Sequence, residues 1–196
     1  TVDGSGDTQT KVIMVNDVAR AFVEAPAVIN VCVELPDEDK TQNGFLKDHV
    51  GHLKMSRYGT RDAAMNWQEE VAKEMKVWGF RRGKYNPCLY WNPKTQLLTL
   101  VHGDDFVSIG SREAALDFKQ KLETRFEIKS QVIGPGSDYL LTRLRESWDQ
   151  DLELQEENSE GRVLNRIIRW TEQGWEIEPD QGHVDILVKE LDLQEA

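Results

Sequence analysis

The sequence has too few cysteines and too short apolar runs for two large classes of protein. Only two of its 196 residues are cysteines, Cys32 and Cys88, so a disulfide framework is excluded. Both fall in predicted strands, where we expect them to be buried. No run approaches the ~20 apolar residues of a membrane-spanning helix, and the first residues lack a signal-peptide pattern. We expect an intracellular, cytoplasmic protein with no membrane partner.

Basic residues are also scarce, with 24 Lys and Arg against 35 Asp and Glu and a net charge of −11. This balance argues against simple binding to a nucleic-acid backbone, because proteins that bind one usually have a basic face. The acidic residues are concentrated in one segment, since the stretch from Glu146 to Glu160 holds seven of them and no basic residue. The one compact basic cluster, Arg81, Arg82 and Lys84, is a candidate contact for nucleic-acid phosphates.

The apolar content of 39% is enough for one core. Short apolar or alternating runs predict strands over Lys11–Asp17, Ile29–Leu35, Leu89–Trp91, Gln96–Val101 and Phe106–Ile109, then a hairpin over Val163–Trp170 and Trp175–Glu178. Helical spacing predicts a helix over Arg61–Gly79 that buries Ala64 and Trp67, and a second one after an N-cap at Ser111. A last helix carries Val184, Leu187, Val188 and Leu191 on one face.

This order of elements predicts an α+β fold, a mostly antiparallel sheet with helices on one face. We divide the chain into a frayed leader (1–10), a core (11–130), an acidic, loop-rich insertion (131–162), and a final hairpin and helix (163–196). Because the first residue is not Met and the last helical pattern stops abruptly, we expect a piece of a longer chain.

Three carboxylates lie where predicted strands end. Asp17 closes the first strand, and Asp104 and Asp105 form the tip of a predicted hairpin. Adjacent acids are ordinary turn residues, but three converging carboxylates without His or Cys would suit Mg²⁺ or Mn²⁺. Their mutual repulsion would raise the pKa of at least one of them. His49 and His52 form a weaker candidate metal pair, since no third ligand is near them in the sequence.

Several segments resemble the reverse transcriptases of copia-type LTR retrotransposons, RNA-directed DNA polymerases that form part of a Pol polyprotein. Asp17–Phe22 (DVARAF) is similar to the first catalytic motif of that family, and Leu53–Trp67 resembles its LKKSLYGLKQAPRAW segment. Asn86–Tyr90 (NPCLY) resembles the strand before the catalytic hairpin, and His102–Asp105 (HGDD) stands where the family has YVDD. Leu164–Ile168 and the last helix resemble the stretch leading into the thumb.

This resemblance covers about residues 11–193 and implies a polymerase palm with a ferredoxin-like sheet. The implied partners are an RNA or DNA template–primer and deoxynucleoside triphosphates, with Mg²⁺ or Mn²⁺ as cofactor. Asp17 and Asp104 would bind both metal ions, Asp105 would be the supporting third carboxylate, and the carbonyl of Val18 would be a backbone ligand. A lysine, Lys129 or Lys121, could protonate the pyrophosphate leaving group.

The resemblance also assigns residues to the nucleotide. Phe22 would stack under the sugar and exclude a 2′-hydroxyl, and Gly59 would let the backbone approach the template–nucleotide pair. Asp62 stands where the family has a glutamine that positions the nucleotide, and its charge would repel a triphosphate. Trp67 would pack the long helix on the sheet.

Other departures from the family lie in the turns and at the N-terminus. His102 and Gly103 replace Tyr and Val, and the added glycine is expected to loosen the hairpin; Asn165 replaces a glycine near the thumb. No residues before Lys11 match the basic clamp of the fingers, so we expect residues 1–196 alone to be inactive.

Two alternatives remain open at this point. The chain could be a degenerate, non-catalytic transposon remnant or a palm-like binding module, which primer extension would separate from a polymerase. Another two-metal enzyme on a ferredoxin-like sheet, such as a nucleotidyl cyclase, fits the fold but not the segment Tyr58–Trp67.

Overall fold

The computed structural model describes residues 11–42, 49–135, 157–178 and 181–192. The predicted leader and the centre of the predicted insertion, residues 136–156, lie outside these ranges. The strands are β1 (Lys11–Val18), β2 (Cys32–Glu34), β3 (Val50–His52), β4 (Arg81–Arg82), β5 (Leu89–Asn92), β6 (Leu97–His102), β7 (Asp105–Ser111), β8 (Ile128–Ile133), β9 (Glu157–Asn158), β10 (Glu160–Val163), β11 (Arg166–Thr171) and β12 (Gly174–Ile177). The helices are α1 (Asp37–Gln42), α2 (Ala63–Val77), α3 (Arg112–Glu123), α4 (Gln181–Glu190) and a 3₁₀ helix, Ala21–Glu24.

The described strands form one large sheet and two small ones. The large sheet has seven strands in the order β4-β5-β6-β7-β1-β8-β9, and its pairs are antiparallel except β8 with β9. Strands β10 to β12 form a three-stranded antiparallel sheet, and β2 pairs with β3. The predicted α+β fold with a mostly antiparallel sheet is confirmed.

Both faces of the central strands are covered, which explains why β1 and β7 read as nearly continuous apolar runs. On one face, the main core joins Met14 and Phe106 to Trp67 of α2 and Phe118 of α3. On the opposite face, a smaller core joins Ile13, Val107 and Ile133 to Val163, with Trp175 packed against it. The helices therefore lie on one side of the sheet and the β10–β12 sheet on the other.

The two long helices follow the predicted periodicity with small shifts. Helix α2 buries Ala63 rather than the predicted Ala64, and then buries Trp67 as predicted. Helix α3 is capped as predicted, because the Ser111 side chain accepts a hydrogen bond from the Ala114 N–H at 3.2 Å. On α4 most of the predicted apolar face, including Leu187, is exposed in the described part of the chain. No helix in the described ranges is both long and apolar enough to cross a membrane.

Two features differ from the prediction in ways that concern the site. Strand β8 spans the boundary placed at residue 131, and it pairs with β1 in the large sheet. Its central residues, Lys129 to Gln131, are polar, so the sequence does not show the apolar pattern of a buried strand there. Cys32 is exposed rather than buried, because β2 is a three-residue strand outside the large sheet.

Candidate active site

A row of charged and polar residues crosses four neighbouring strands of the large sheet. Asp17 on β1 lies directly opposite Asp105 on β7. The same row continues to His102 on β6, opposite Asp105, and to Lys129 on β8, opposite Asp17. Directly opposite residues project from the same face with Cβ atoms about 4.5–5.5 Å apart. We call these four residues the carboxylate row.

The carboxylate row lies on the face of the sheet away from α2 and α3. Side chains alternate between faces along a strand, and Ile13 and Val15, four and two residues before Asp17, belong to the smaller core on that face. Val107, two residues after Asp105, belongs to it as well. Asp17 itself is exposed. The strand period therefore directs the carboxylates to solvent and away from the helices.

Asp104 lies beside this row in a tight turn. Gly103 and Asp104 form a two-residue turn between His102 and Asp105, and Gly103 has φ +63°. A positive φ at the first turn position suits the right-handed twist of a hairpin and favours glycine. The expectation that Gly103 loosens the hairpin is therefore wrong.

Two hydrogen bonds fix the backbone of this turn. The carbonyl of Gly103 accepts a bond from the Trp67 ring nitrogen Nε1 at 2.6 Å. The carbonyl of Asp104 accepts a bond from the Val18 N–H at 3.0 Å. Trp67 is 1% exposed, so it packs α2 on the sheet as predicted and also holds the turn that carries Asp104. The side chain of Val18 is buried, and the metal-binding role of its carbonyl stays a prediction.

The proximity of the carboxylates affects their protonation. Burial raises the pKa of Asp105, and the charges of Asp104 and Asp17 raise it further, while His102 opposes the shift. The expectation that one carboxylate of the group has a raised pKa is confirmed. Among the described residues, no three His, Cys, Asp or Glu side chains are arranged to hold a metal ion by themselves. The donors fit a hard cation such as Mg²⁺, provided that other groups complete its coordination.

An aromatic pair lies on the segments that follow β1 and precede α2. Phe22 belongs to the 3₁₀ helix, is half-buried, and packs against the main core. Its ring stacks with that of Tyr58, with centroids 4.4 Å apart and planes tilted by 35°. The next residue, Gly59, has φ +87°, and a Cβ atom there would have no neighbour within 4 Å. Glycine is thus required at Gly59 for its backbone conformation, and the space beside it is open.

The comparison with known families agrees with this geometry. The family model described as Reverse transcriptase (RNA-dependent DNA polymerase) matches residues 6–168. The chain belongs to this family. The match includes the carboxylate row, the aromatic pair and α2, and it ends within β11, so the last strand and α4 lie beyond it.

In this member of the family, Asp62 is part of a buried polar network. It is 7% exposed and accepts a hydrogen bond from the Asn66 side-chain amide at 2.8 Å. The same amide donates to Ser56 Oγ at 3.0 Å, and Ser56 Oγ donates to the Pro26 carbonyl at 3.2 Å. The bond from Asn66 lowers the pKa of Asp62, an effect that burial partly opposes. Asp62 therefore ties the start of α2 to the segment after the 3₁₀ helix, and its contact with a nucleotide stays a prediction.

The basic cluster is divided between the two faces of the sheet. Arg82 lies opposite Tyr90, which is buried in the main core, so Arg82 is on the helix side; it donates to the Pro87 carbonyl at 2.8 Å and to Glu69 at 3.3 Å. Arg81 lies opposite Trp91, and this register places it on the face of the carboxylate row. Arg81 and Lys84 are exposed. Their contact with nucleic acid stays a prediction.

The remaining candidates are two lysines and a histidine pair, and they differ in whether they lie at the carboxylate row. Lys129 is in the carboxylate row, whereas Lys121 forms an ion pair with Asp117 on α3 at 2.6 Å. Of the histidine pair, His52 has Nε2 3.2 Å from Asn30 Oδ1 and Nδ1 3.4 Å from Lys54 Nζ. Because protein groups engage both of its ring nitrogens, a metal pair of His49 with His52 is not supported.

The glycine replaced near the thumb has a conformational explanation. Leu164 and Asn165 form the turn between β10 and β11, with φ values of +46° and +64°. Asparagine is the residue that adopts this conformation most readily after glycine. Asn165 therefore preserves the turn.

Sequence reasoning missed two contributors to the site, Tyr58 and the ring nitrogen of Trp67. Both lie in the segment whose resemblance to the family was recognised, but their contacts link residues more than 30 positions apart. Side-chain partners at such separation leave no periodic signal in the sequence.

Proposed function

We propose that this chain is the palm of a copia-type Pol polyprotein and that, within the longer protein, it adds deoxynucleotides to a primer on an RNA or DNA template by two-metal chemistry. The observation that carries the proposal is the register of Asp17 with Asp105, together with Asp104 in the adjoining turn. Three carboxylates grouped at the adjacent ends of β1 and β7 suit a divalent cation, which would in turn bind a polyphosphate. The site of action is the cytoplasm.

The position of each residue in the site determines the role that we assign to it. Asp17 and Asp104 would hold the ions, the Val18 carbonyl would add a backbone ligand, and Asp105 would support the pair from the next strand position. When bound, Mg²⁺ or Mn²⁺ would supply Lewis-acid stabilisation of the negative charge that develops on phosphate oxygens. The carboxylates do not form a complete cage among the described residues. We therefore expect weak metal affinity without nucleotide.

The reaction is an in-line displacement at the α-phosphorus of the nucleotide. The 3′-hydroxyl of the primer loses its proton to solvent and its oxygen forms the new bond to the α-phosphorus, the bond from that phosphorus to the bridging oxygen breaks, and pyrophosphate leaves. Lys129, next to Asp17 in the carboxylate row, donates a proton to the pyrophosphate. Phe22 excludes ribonucleotides, and the open space beside Gly59 admits the template–nucleotide pair. Asp62 acts on this region through the buried network at the start of α2, because its carboxylate accepts a hydrogen bond from Asn66.

Arg81 and Lys84 are proposed to contact the duplex behind the reaction centre. Arg81 is on β4, three strands from β7, in the row that passes through Trp91, Leu98 and Ile109. Ile109 is about 13 Å from Asp105 along β7, and three strand spacings add about 14 Å across the sheet, so Arg81 lies about 20 Å from Asp105. A phosphate on a duplex several base pairs from the site falls at this range. Lys84 lies just beyond β4 at the same sheet edge.

The first test measures the response of thermal stability to divalent ions. Millimolar Mg²⁺ or Mn²⁺ is expected to raise the melting temperature of the chain, because bound cations relieve carboxylate repulsion. Asp104→Asn should remove much of that rise. Asp117→Asn, on the exposed side of α3, is the matched control and should leave it intact. Equal responses in the wild type and Asp104→Asn would show that the carboxylates do not share a metal site.

The second test is primer extension on an RNA template. Residues 1–196 alone are expected to give no measurable product, because their charge of −11 opposes binding of a polyanion. A longer chain from the same reading frame, carrying the basic clamp, should extend the primer. In it Asp104→Ala abolishes extension, whereas Phe22→Ala admits ribonucleotides. A longer chain that stays inactive with both metals would favour the non-catalytic remnant.

A further inference from the structure

Phe22 is held between two different surfaces. One side of its ring packs against the main core, which includes the buried residues Ala21 and Ala25 of the same segment. The other side meets the ring of Tyr58 at a centroid distance of 4.4 Å. Tyr58 is itself 50% exposed, so its outer face is open to solvent. The tyrosine thus covers part of the Phe22 ring that the core leaves free, and Phe22 stays partly exposed.

The backbones that carry the two rings are fastened to each other. Ala27 N–H donates to the Lys54 carbonyl at 3.0 Å, and Ser56 N–H donates to the Ala25 carbonyl at 2.8 Å. Pro26 and Met55 form an isolated antiparallel bridge between these bonds. The buried hydrogen bond from Ser56 Oγ to the Pro26 carbonyl reinforces the junction. Both segments are therefore positioned before any ligand arrives.

We propose that Tyr58 is a positioning residue for nucleotide selection, because it holds the Phe22 ring in the orientation that excludes a 2′-hydroxyl. This inference rests on the proposed function. Rejection by shape requires the blocking ring to stay within a fraction of an ångström of one position. A half-buried phenylalanine without its outer neighbour gains side-chain rotamers, and a ring that moves aside admits the larger sugar. The ring of Tyr58 provides the restraint, so the phenol oxygen is dispensable.

The test compares equilibrium binding of dATP and ATP, each with Mg²⁺, to the longer chain that carries the basic clamp, because the clamp is needed to hold a triphosphate. The wild type is expected to bind dATP about tenfold more tightly than ATP, the range in which one hydroxyl group discriminates by fit. Phe22→Ala should bring the ratio near one. Tyr58→Ala should lower it severalfold, mainly through tighter ATP binding, and Tyr58→Phe should restore it. Tyr85→Ala, at a tyrosine that is 95% exposed, is the matched control.

The outcomes separate this inference from the proposed function. An unchanged ratio in Tyr58→Ala, with the ratio lost in Phe22→Ala, overturns the role of Tyr58 and leaves Phe22 as the selecting residue. A loss of the ratio in Tyr58→Phe as well overturns the ring-packing explanation. A wild type without preference, or without binding to either nucleotide, overturns the roles of both residues. The metal response of Asp104→Asn then still decides the carboxylate site independently.

Discussion

Arg125, just after α3, offers the sharpest test of what holds the site region together. Its guanidinium lies 3.0 Å from Glu24 at the end of the 3₁₀ helix, and 3.3 and 3.5 Å from Glu70 and Glu74 of α2. It also donates to the Glu24 carbonyl at 3.2 Å and lies over the Phe126 ring. One side chain thus joins three segments, one of which carries Phe22.

We predict that Arg125→Met lowers the free energy of unfolding by about 2–3 kcal/mol. An exposed ion pair contributes about 0–1 kcal/mol, and breaking a buried pair costs about 3–5 kcal/mol because a charge remains uncompensated. Arg125 falls between these limits, since its side chain is 30% exposed and that of Glu70 is 14% exposed. For a chain of this size the loss corresponds to about 5–10 °C in melting temperature.

The assay is urea unfolding followed by tryptophan fluorescence, with two comparisons. Arg20→Met removes an ion pair to Glu127 of similar length, 2.9 Å, in which both side chains are 73% exposed, and should cost less than about 0.5 kcal/mol. Glu24→Gln in the Arg125→Met background should recover part of the loss, because it removes a carboxylate charge that Arg125 had paired; Glu70 keeps its ion pair with Lys73 at 3.2 Å. If Arg125→Met lowers the free energy of unfolding no more than Arg20→Met does, burial does not strengthen the ion pairs of Arg125.

Two further predictions concern the carboxylate row and its turn. Asp105→Asn should raise the free energy of unfolding at pH 7 by about 0.2–1 kcal/mol, since like charges opposite each other destabilise a sheet. The pKa of Asp105 in the folded chain is raised above its ordinary value of 3.8. The gain, measured by thermal melting, should therefore shrink as the pH falls through the raised pKa and vanish below 3.8. Trp67→Phe should cost about 1–2 kcal/mol in urea unfolding, since the Gly103 carbonyl loses its partner, and should weaken the metal response. Trp78→Phe, at the residue just after the same helix, should leave the metal response unchanged. A metal response lost in both variants would contradict the role of the hydrogen bond from Trp67 to the Gly103 carbonyl.

The elements that sequence reasoning located share a strong local signal. β1 and β7 are apolar runs bounded by polar residues, α2 and α3 repeat with helical spacing, and Ser111 has the chemistry of an N-cap. Strand β8 was missed because its register is imposed by β1, against which its polar residues pair. Tertiary pairing here determines what the local pattern does not.

The site was predictable as a set of residues but not as an arrangement. Asp17, Asp104 and Asp105 were identified from strand ends and from a family resemblance, whereas their shared face follows from the register of β1 with β7. Arg81 and Arg82 form one cluster in the sequence, yet strand alternation separates them. Contacts such as Arg125 with Glu24, 101 residues apart, arise from packing alone.

The register of the carboxylate row makes the site unequally sensitive to two kinds of genetic change. Deleting one residue of the turn between β6 and β7 would shift β7 by a single position relative to its neighbours. Every side chain of β7 would then point to the opposite face of the sheet. Phe106, 0% exposed in the main core, would then face solvent, and Asp105 would point into the core. Substituting His102 leaves the pairing intact. An in-frame deletion of one codon in the hairpin would therefore destroy this site at once, whereas substitutions that keep the strand pairing would leave the positions of the carboxylates unchanged.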